Sequence, residues 1–297
     1  MKYDSIITEH LPMPQRNNDS NKGDYGRIGI IAGSRGMAGA GELCTKACLR
    51  SGAGLVTVAA ADCLTEVYEI KFTEAMVYPL ACKDGHIAAE ALDSILEFIS
   101  TKDCVAIGPG LGRSDDIAAI LEGILDVFSG ALVIDADGLF ALSSVKEKLK
   151  ETRARVLITP HIGEMSRLCG TSIPEIKKDR EGTALRFAQE YRVTVLLKDN
   201  VSSIASPDGR VKLNTAGNPG MARGGSGDVL AGVCAAFMCR FTDPFDAACE
   251  AALTCGIAGD LAAWKYGMES MLPSDTVSFI GQALMEPASN HIKQLED

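Results

Sequence analysis

The stretch Asn214-Thr-Ala-Gly-Asn-Pro-Gly-Met-Ala-Arg-Gly-Gly-Ser-Gly-Asp228 packs five glycines and one proline ahead of a single carboxylate. An apolar segment, Val229-Leu-Ala-Gly-Val-Cys-Ala-Ala-Phe237, follows at once. Val229, Leu230, Val233 and Phe237 recur at helical spacing, so a buried helix is expected to begin near Ser226. A glycine loop feeding a helix N-terminus offers free amides and the positive end of a dipole to an anion. A carboxylate beside that anion opposes phosphate binding unless it has another task. The natural task for Asp228 is to take a proton from a hydroxyl placed near a phosphoryl group. A capped turn is the plainer reading, but five glycines exceed what a turn needs. No G-x-x-x-x-G-K-[ST] occurs, which excludes a P-loop protein.

Working outward from this loop, the pattern alternates. Strands are expected at 27–33, 55–60, 75–80, 104–108, 131–135, 156–159 and 193–198, with a hairpin of 201–206 and 210–213 around Pro207-Asp208-Gly209. Helices are expected at 39–51, 87–99, 173–190, 226–240, 244–266 and 275–289. Another is capped by Ser114, with Asp115 and Asp116 in its first turn. This alternation implies an α/β domain with a mostly parallel central sheet and helices on both faces. Residues 10–24 are polar, so about 1–24 is expected to form an N-terminal arm, and 1–297 one domain.

Ligands bind such sheets at the carboxyl ends of the strands. There the sequence places Gly33-Ser-Arg-Gly-Met-Ala-Gly-Ala-Gly41, Gly108-Pro-Gly-Leu-Gly112, Asp135-Ala-Asp137, Thr159-Pro-His-Ile-Gly-Glu164 and Lys198-Asp199. Gly33-x-x-Gly36-x-x-Gly39, with Asp62 ending the next strand, loosely imitates a dinucleotide-binding turn, but the G-x-G-x-x-G spacing is absent. Asp135 and Asp137 could hold a metal through water, or Asp137 could cap the following helix. His161 stands at a strand end, which favours a ligand contact. Lys198 is a cation poised near the anion loop or a solvated strand-end residue.

With 297 residues and 46% hydrophobic content, the chain can bury a sizeable core. A net charge of −10 without a basic run argues against nucleic-acid binding. No apolar signal core or spanning segment is visible, which points to a cytoplasmic protein without a membrane partner. Ten cysteines without a C-x-x-C pair read as small buried hydrophobes in a reducing compartment, and their spacing argues against zinc.

Taken together, several segments resemble the ADP/ATP-dependent NAD(P)H-hydrate dehydratases of the ribokinase-like superfamily. They are Lys22-Gly-Asp-Tyr-Gly-Arg27, Ala32-Gly-Ser34, Arg50-Ser-Gly-Ala-Gly-Leu-Val-Thr57, Gly108–Gly112, Asp135-Ala-Asp137, Thr159–Glu164 and Gly217–Asp228. The Thr-Pro-His-x-Gly-Glu segment is the most specific of them. The resemblance implies repair of the S-form hydrates of NADH and NADPH. A nucleotide, ADP rather than ATP by preference, phosphorylates the 6-hydroxyl with Mg²⁺, and phosphate then leaves. It also implies that Asp228 is the base and that Ala40, Gly110, His161 and Asp228 contact the hydrate. Lys198, Asp199, Asn200, Val201, Ser202 and Gly227 would contact the adenine nucleotide. Asn218, Gly224, Gly225, Ser226 and Gly227 would form the phosphate loop. A homotetramer and a separate NAD(P)HX epimerase are further expectations, since no epimerase domain is expected within this chain.

The sequence departs from the family pattern at Asp199, where Gly is usual, at Ser202 for Thr, and at Arg223 and Ala231, where Thr is common. Asp199 makes the nucleotide segment more acidic, and Arg223 could add a phosphate contact. A small-molecule hydroxyl kinase of the same fold would share Asp228 and the loop but leaves the His161 segment unexplained. A non-catalytic nucleotide sensor would not need Asp228.

Overall fold

The computed structural model describes residues 6–291. Strands run β1 Arg27–Ile31, β2 Leu55–Ala61, β3 Met76–Leu80, β4 Cys82–Lys83, β5 His86–Ile87, β6 Cys104–Ile107, β7 Ala131–Ile134, β8 Arg155–Ile158, β9 Thr194–Leu197, β10 Ser202–Ala205 and β11 Val211–Asn214. Helices run α1 Ala38–Arg50, α2 Thr65–Lys71, α3 Leu92–Ile99, α4 Asp115–Val127, α5 Asp137–Val145, α6 Ile162–Cys169, α7 Ile173–Lys178, α8 Arg180–Tyr191, α9 Ser226–Met238, α10 Pro244–Tyr266 and α11 Pro273–Ala283.

Nine strands form one sheet in the order β11-β10-β9-β8-β7-β6-β1-β2-β3, and β4 pairs with β5 in a separate hairpin. From β3 to β9 every pairing is parallel, and β10 and β11 add the antiparallel hairpin at one edge. The central strands β6 and β7 are buried throughout, as expected of parallel strands covered on both faces. One core holds α1, α9, α10 and α11 against the sheet, and the other holds α3, α4, α5, α6 and α8. Helix α9 is buried at every position from Val229 to Met238, so the glycine loop is anchored to a rigid rod within the first core.

Several sequence expectations need correction. The 173–190 segment is two helices, because Asp179 leaves helical geometry and caps α8 by accepting from the Gly182 amide at 3.0 Å. The 87–99 segment begins as strand β5 and a 3-10 turn before α3. Helices α2 and α6 were not expected from periodicity, being only 7 and 8 residues long, while the helix after Asp137 is present as α5. The N-terminal arm is docked from its first described residue: Ile6 bridges Leu213, Ile6 and Ile7 are buried, and His10 Nδ1 meets Glu250 Oε1 at 2.5 Å. Residues 1–5 of that arm lie outside the described residues. Six of the ten cysteines are buried, but Cys63 is exposed and Cys82, Cys169 and Cys239 are half-buried.

The structure gives the glycines of the Gly33–Gly41 loop a reason other than a dinucleotide turn, whose spacing the sequence already lacked. Strand β2 ends at Ala61, and Asp62 opens a 3-10 turn. The buried Tyr68 of α2 fills the space beneath the first glycine loop and donates to the Ala38 carbonyl at 3.0 Å. A Cβ at Gly33 or Gly41 would fall 2.1 or 2.3 Å from the Tyr68 hydroxyl. Tyr68 thus excludes a side chain at Gly33 and Gly41, whereas Gly36 and Gly39 meet nothing within 4 Å and Gly36 is favoured by its φ of 86°.

Candidate active site

The carboxyl ends of β7, β8 and β9 converge beside the N-terminus of α9. Asp135 follows β7 and is 1% exposed. Its Oδ1 accepts from the Thr159 hydroxyl at 2.8 Å and from Lys198 Nζ at 2.7 Å. Its Oδ2 is buried with no hydrogen-bond partner among the described residues. Asp137, the first residue of α5, has a different task. It accepts from the Gly112 amide at 2.8 Å and lies 3.5 Å from Arg113 Nε, so it pins the Gly108–Gly112 loop. Gly108 is demanded by close approach, since a Cβ there would lie 1.7 Å from the Asp135 carbonyl. The two aspartates therefore serve separate partners, and Ala136 is the cap position of α5.

Each element of the Thr159–Glu164 segment has a physical reason. Thr159 donates to Asp135, and the Pro160 carbonyl accepts from the Lys198 amide at 2.8 Å. His161 caps α6: its Nδ1 accepts from the Gly163 and Glu164 amides at 2.9 and 3.2 Å. Glu164 reciprocates by accepting from the His161 amide at 2.8 Å, closing a capping box. With Nδ1 occupied as an acceptor, the hydrogen-bond pattern assigns the proton of the neutral ring to Nε2. That Nε2 lies 3.4 Å from Glu164 Oε1, and with the side chain 59% exposed a ligand can reach it from the solvent side.

The long glycine run supplies the opposite wall. Asn218 caps a 3-10 turn, Pro219–Met221, by accepting from the Gly220 amide, and its Nδ2 donates to Asp260 at 2.9 Å. Gly225, with φ of 106°, is the cap residue of α9. Beyond it, the Gly227 and Asp228 amides are first-turn donors without an acceptor inside the helix. A Cβ on Gly227 would lie 3.4 Å from Lys198 Nζ and 3.7 Å from Asp135 Oδ2, which shows how closely this turn rests on the ion pair.

Burial, reinforced by the charge of Asp135, raises the Asp228 carboxyl to about 6, while Lys198 pulls the other way and Asp137 adds slightly to the rise. Burial raises the Glu164 carboxyl as well. Burial alone would lower the Lys198 ammonium, but Asp135 and Glu164 outweigh it and hold the group above its ordinary value.

These walls enclose a cavity of about 1270 Å³. That exceeds the ordinary range for one small ligand and leaves room for two. Its lining includes His161, Asn218, residues 198–202 and residues 224–228. Ala40 and Gly110 are not part of it. They pack on each other instead, a Cβ on Gly110 falling 2.9 Å from that of Ala40. Sequence reasoning missed Arg180, which lines the cavity and donates to Asp199 Oδ2 at 2.5 Å and Asn200 Oδ1 at 3.0 Å. The extra acid at Asp199 is thereby paired with a base from α8. Arg223 is turned to the Glu269 carbonyl, and the structure gives it no phosphate-directed geometry.

The profile of a family described as NAD(P)H-hydrate dehydratase matches residues 28–281. The bifunctional NAD(P)H-hydrate repair enzyme Nnr of Moorella thermoacetica is 38% identical over 273 residues, covering 92% of this chain and 52% of that protein. The chain thus spans about half the length of the repair enzymes it matches. Among solved structures, the ADP/ATP-dependent NAD(P)H-hydrate dehydratase of Bacillus subtilis, co-crystallised with ATP/Mg²⁺, superposes with a TM-score of 0.80 at 26% identity, covering 92% of this chain and 94% of that one. A ribokinase-like superfamily protein of Enterococcus faecalis superposes with a TM-score of 0.79 at 29% identity, covering 93% of each chain.

Proposed function

Because the chain belongs to the NAD(P)H-hydrate dehydratase family and has its ribokinase-like fold, we propose that it dehydrates the S-form hydrates of NADH and NADPH at the expense of an adenine nucleotide. The observation that carries this reading is Asp228: a carboxyl raised to about 6, at the N-terminus of α9, in the same cavity as the exposed His161. At neutral pH such a group is ionised yet basic enough to take a proton from an alcohol as that oxygen attacks phosphorus.

In this reading Asp228 removes the 6-hydroxyl proton as the oxygen bonds to the terminal phosphoryl group and the nucleotide departs one phosphate shorter. The first-turn amides of Gly227 and Asp228 would face the charge that builds on the transferring group, since the Ser226 amide is spent on the Arg223 carbonyl. The ring nitrogen lone pair then expels phosphate from carbon 6, a proton leaves the adjacent carbon, and the double bond returns. His161 Nε2–H would hold the hydrate, with Ala40 and Gly110 extending its berth beyond the cavity. Residues 198–202 and Gly227 would hold the nucleotide, and Asn218 and 224–226 would shape the phosphate loop.

Mg²⁺ suits this donor set. Asp135 Oδ2, buried and without a donor, faces the first turn of α9 and would accept a metal-bound water. Bound with the nucleotide, the cation would offset phosphate charge. The proposal takes ADP as the preferred phosphoryl donor. It also includes an epimerase supplying the S-form and assembly into a homotetramer.

The test is incubation with NADHX or NADPHX, Mg²⁺ and either nucleotide. Recovery of the near-ultraviolet absorbance of the dihydronicotinamide, with orthophosphate released in equal amount, is expected. Accumulation of a stable phosphorylated hydroxyl compound instead would establish a kinase.

A further inference from the structure

Asp62, Cys63 and Cys82 take no part in the cavity, and their spacing in sequence gives no metal signature. The fold brings them together. The parallel register of β2 and β3 sets Ala61 opposite Leu80, so the residues that follow each strand emerge side by side. There one carboxylate oxygen of Asp62 and the two sulfurs lie within 4.8 Å of one another. Among the described residues this is the one group of three or more His, Cys, Asp and Glu ligand atoms at such separations. Neither sulfur is in a disulfide, and Cys63 is open to solvent while Cys82 is half-buried.

We propose that Asp62, Cys63 and Cys82 bind a thiophilic divalent cation, zinc foremost, through two thiolates and one carboxylate, with water completing a tetrahedral shell. Two sulfurs select a soft cation over Mg²⁺ or Ca²⁺, and the carboxylate is a common third ligand. In the metal-free protein Cys82 Sγ donates to Asp62 Oδ1 at 2.8 Å, and this contact holds the thiol above its ordinary range. Metal binding replaces that arrangement: two S–H bonds break, two protons leave to solvent, and two sulfur–metal bonds form without any change of oxidation state.

The location gives the site a mechanical role. Cys82 opens the β4–β5 hairpin, whose turn reaches over the glycine loops. The Gly85 carbonyl accepts from the Arg35 amide at 2.8 Å, and His86 Nδ1 lies 3.1 Å from the Leu111 carbonyl. A cation would fasten the root of that strap to the end of β2.

The test is anaerobic titration of the reduced, chelator-treated full-length chain with Co²⁺. The expected result is a sulfur-to-cobalt charge-transfer band that saturates at one equivalent and is displaced by Zn²⁺. The band should vanish in Cys63→Ser and in Cys82→Ser, each with an unchanged circular dichroism spectrum. Asp62→Asn should weaken cobalt binding at least about tenfold. No band in the folded wild-type chain, a band surviving either serine substitution, or unchanged affinity in Asp62→Asn would overturn the assignment. Air oxidation to a Cys63–Cys82 disulfide in a chain that gives no cobalt band when reduced would also overturn it, in favour of a redox pair.

Discussion

Lys198 Nζ lies 2.7 Å from Asp135 Oδ1, and the pair sits against the first turn of α9 at Gly227. Asp135 comes from the end of β7 and Lys198 from the end of β9, so the sheet itself sets the contact. Both charges act on Asp228, with opposite signs. The base of the proposed reaction is thus poised by an ion pair whose carboxylate is buried and whose lysine is half-buried.

Asp228→Asn is expected to cut turnover by about 10²-fold or more, the scale of a lost general base, with nucleotide affinity largely retained. The wild-type kcat/KM should fall as pH drops through about 6, because the carboxylate is the active form. The asparagine variant should lack that acid limb. Near-normal turnover in the variant would remove Asp228 from the mechanism.

Changing the ion pair should move the limb in two directions. Asp135 raises the Asp228 carboxyl, so Asp135→Asn should shift the limb to lower pH. Lys198 lowers it, so Lys198→Met should shift the limb to higher pH. Lys198→Met also leaves the buried Asp135 charge without its cation, with only the Thr159 hydroxyl to hold it, a loss of about 3 kcal/mol in unfolding free energy. Shifts of the same sign in both variants would show that the pair does not tune Asp228.

His161 has two separable tasks. His161→Ala loses the cap of α6, at about 1 kcal/mol of stability, and the Nε2 donor that stands 3.4 Å from Glu164 Oε1. His161→Asn keeps a good cap residue and loses only the donor. Both should raise the hydrate KM roughly fivefold, the scale of one hydrogen bond, with little change for the nucleotide. Only the alanine variant should melt earlier. Equal effects on both ligands would make His161 purely structural.

The sequence shows how far local pattern reaches. Alternation gave the parallel sheet, because strands such as Cys104–Ile107 and Ala131–Ile134 are continuous apolar runs between helical segments. The Ser226 helix start was legible because glycines give way at once to a buried apolar stripe. Pairings between distant residues were not legible: Arg180 with Asp199, Lys198 with Asp135 and Cys63 with Cys82 depend on strand order, which periodicity does not encode. Ala40 and Gly110 lie outside the cavity because the Met37–Ala40 turn and the Gly108–Gly112 loop close on each other. The need for glycine at Gly33 and Gly41 was hidden for a related reason, since the space a side chain would take is held by a tyrosine elsewhere in the chain.

That constraint gives the sharpest packing test. Gly41 lies inside α1 with ordinary helical backbone, so alanine there should by propensity gain about 0.5–1 kcal/mol. Its Cβ would instead fall 2.3 Å from the buried Tyr68 hydroxyl. Gly41→Ala should therefore destabilise the chain by about 1–3 kcal/mol, the usual cost of overpacking. Tyr68→Phe alone should lose about 1 kcal/mol with its bond to the Ala38 carbonyl. Combined, the two should cost less than their sum by at least about 0.5 kcal/mol, since the phenylalanine vacates the space the new methyl enters. Urea unfolding of all four chains measures the coupling. A stabilised Gly41→Ala chain would mean that the loop is not held from below by Tyr68, and that the glycine answers to something bound above it.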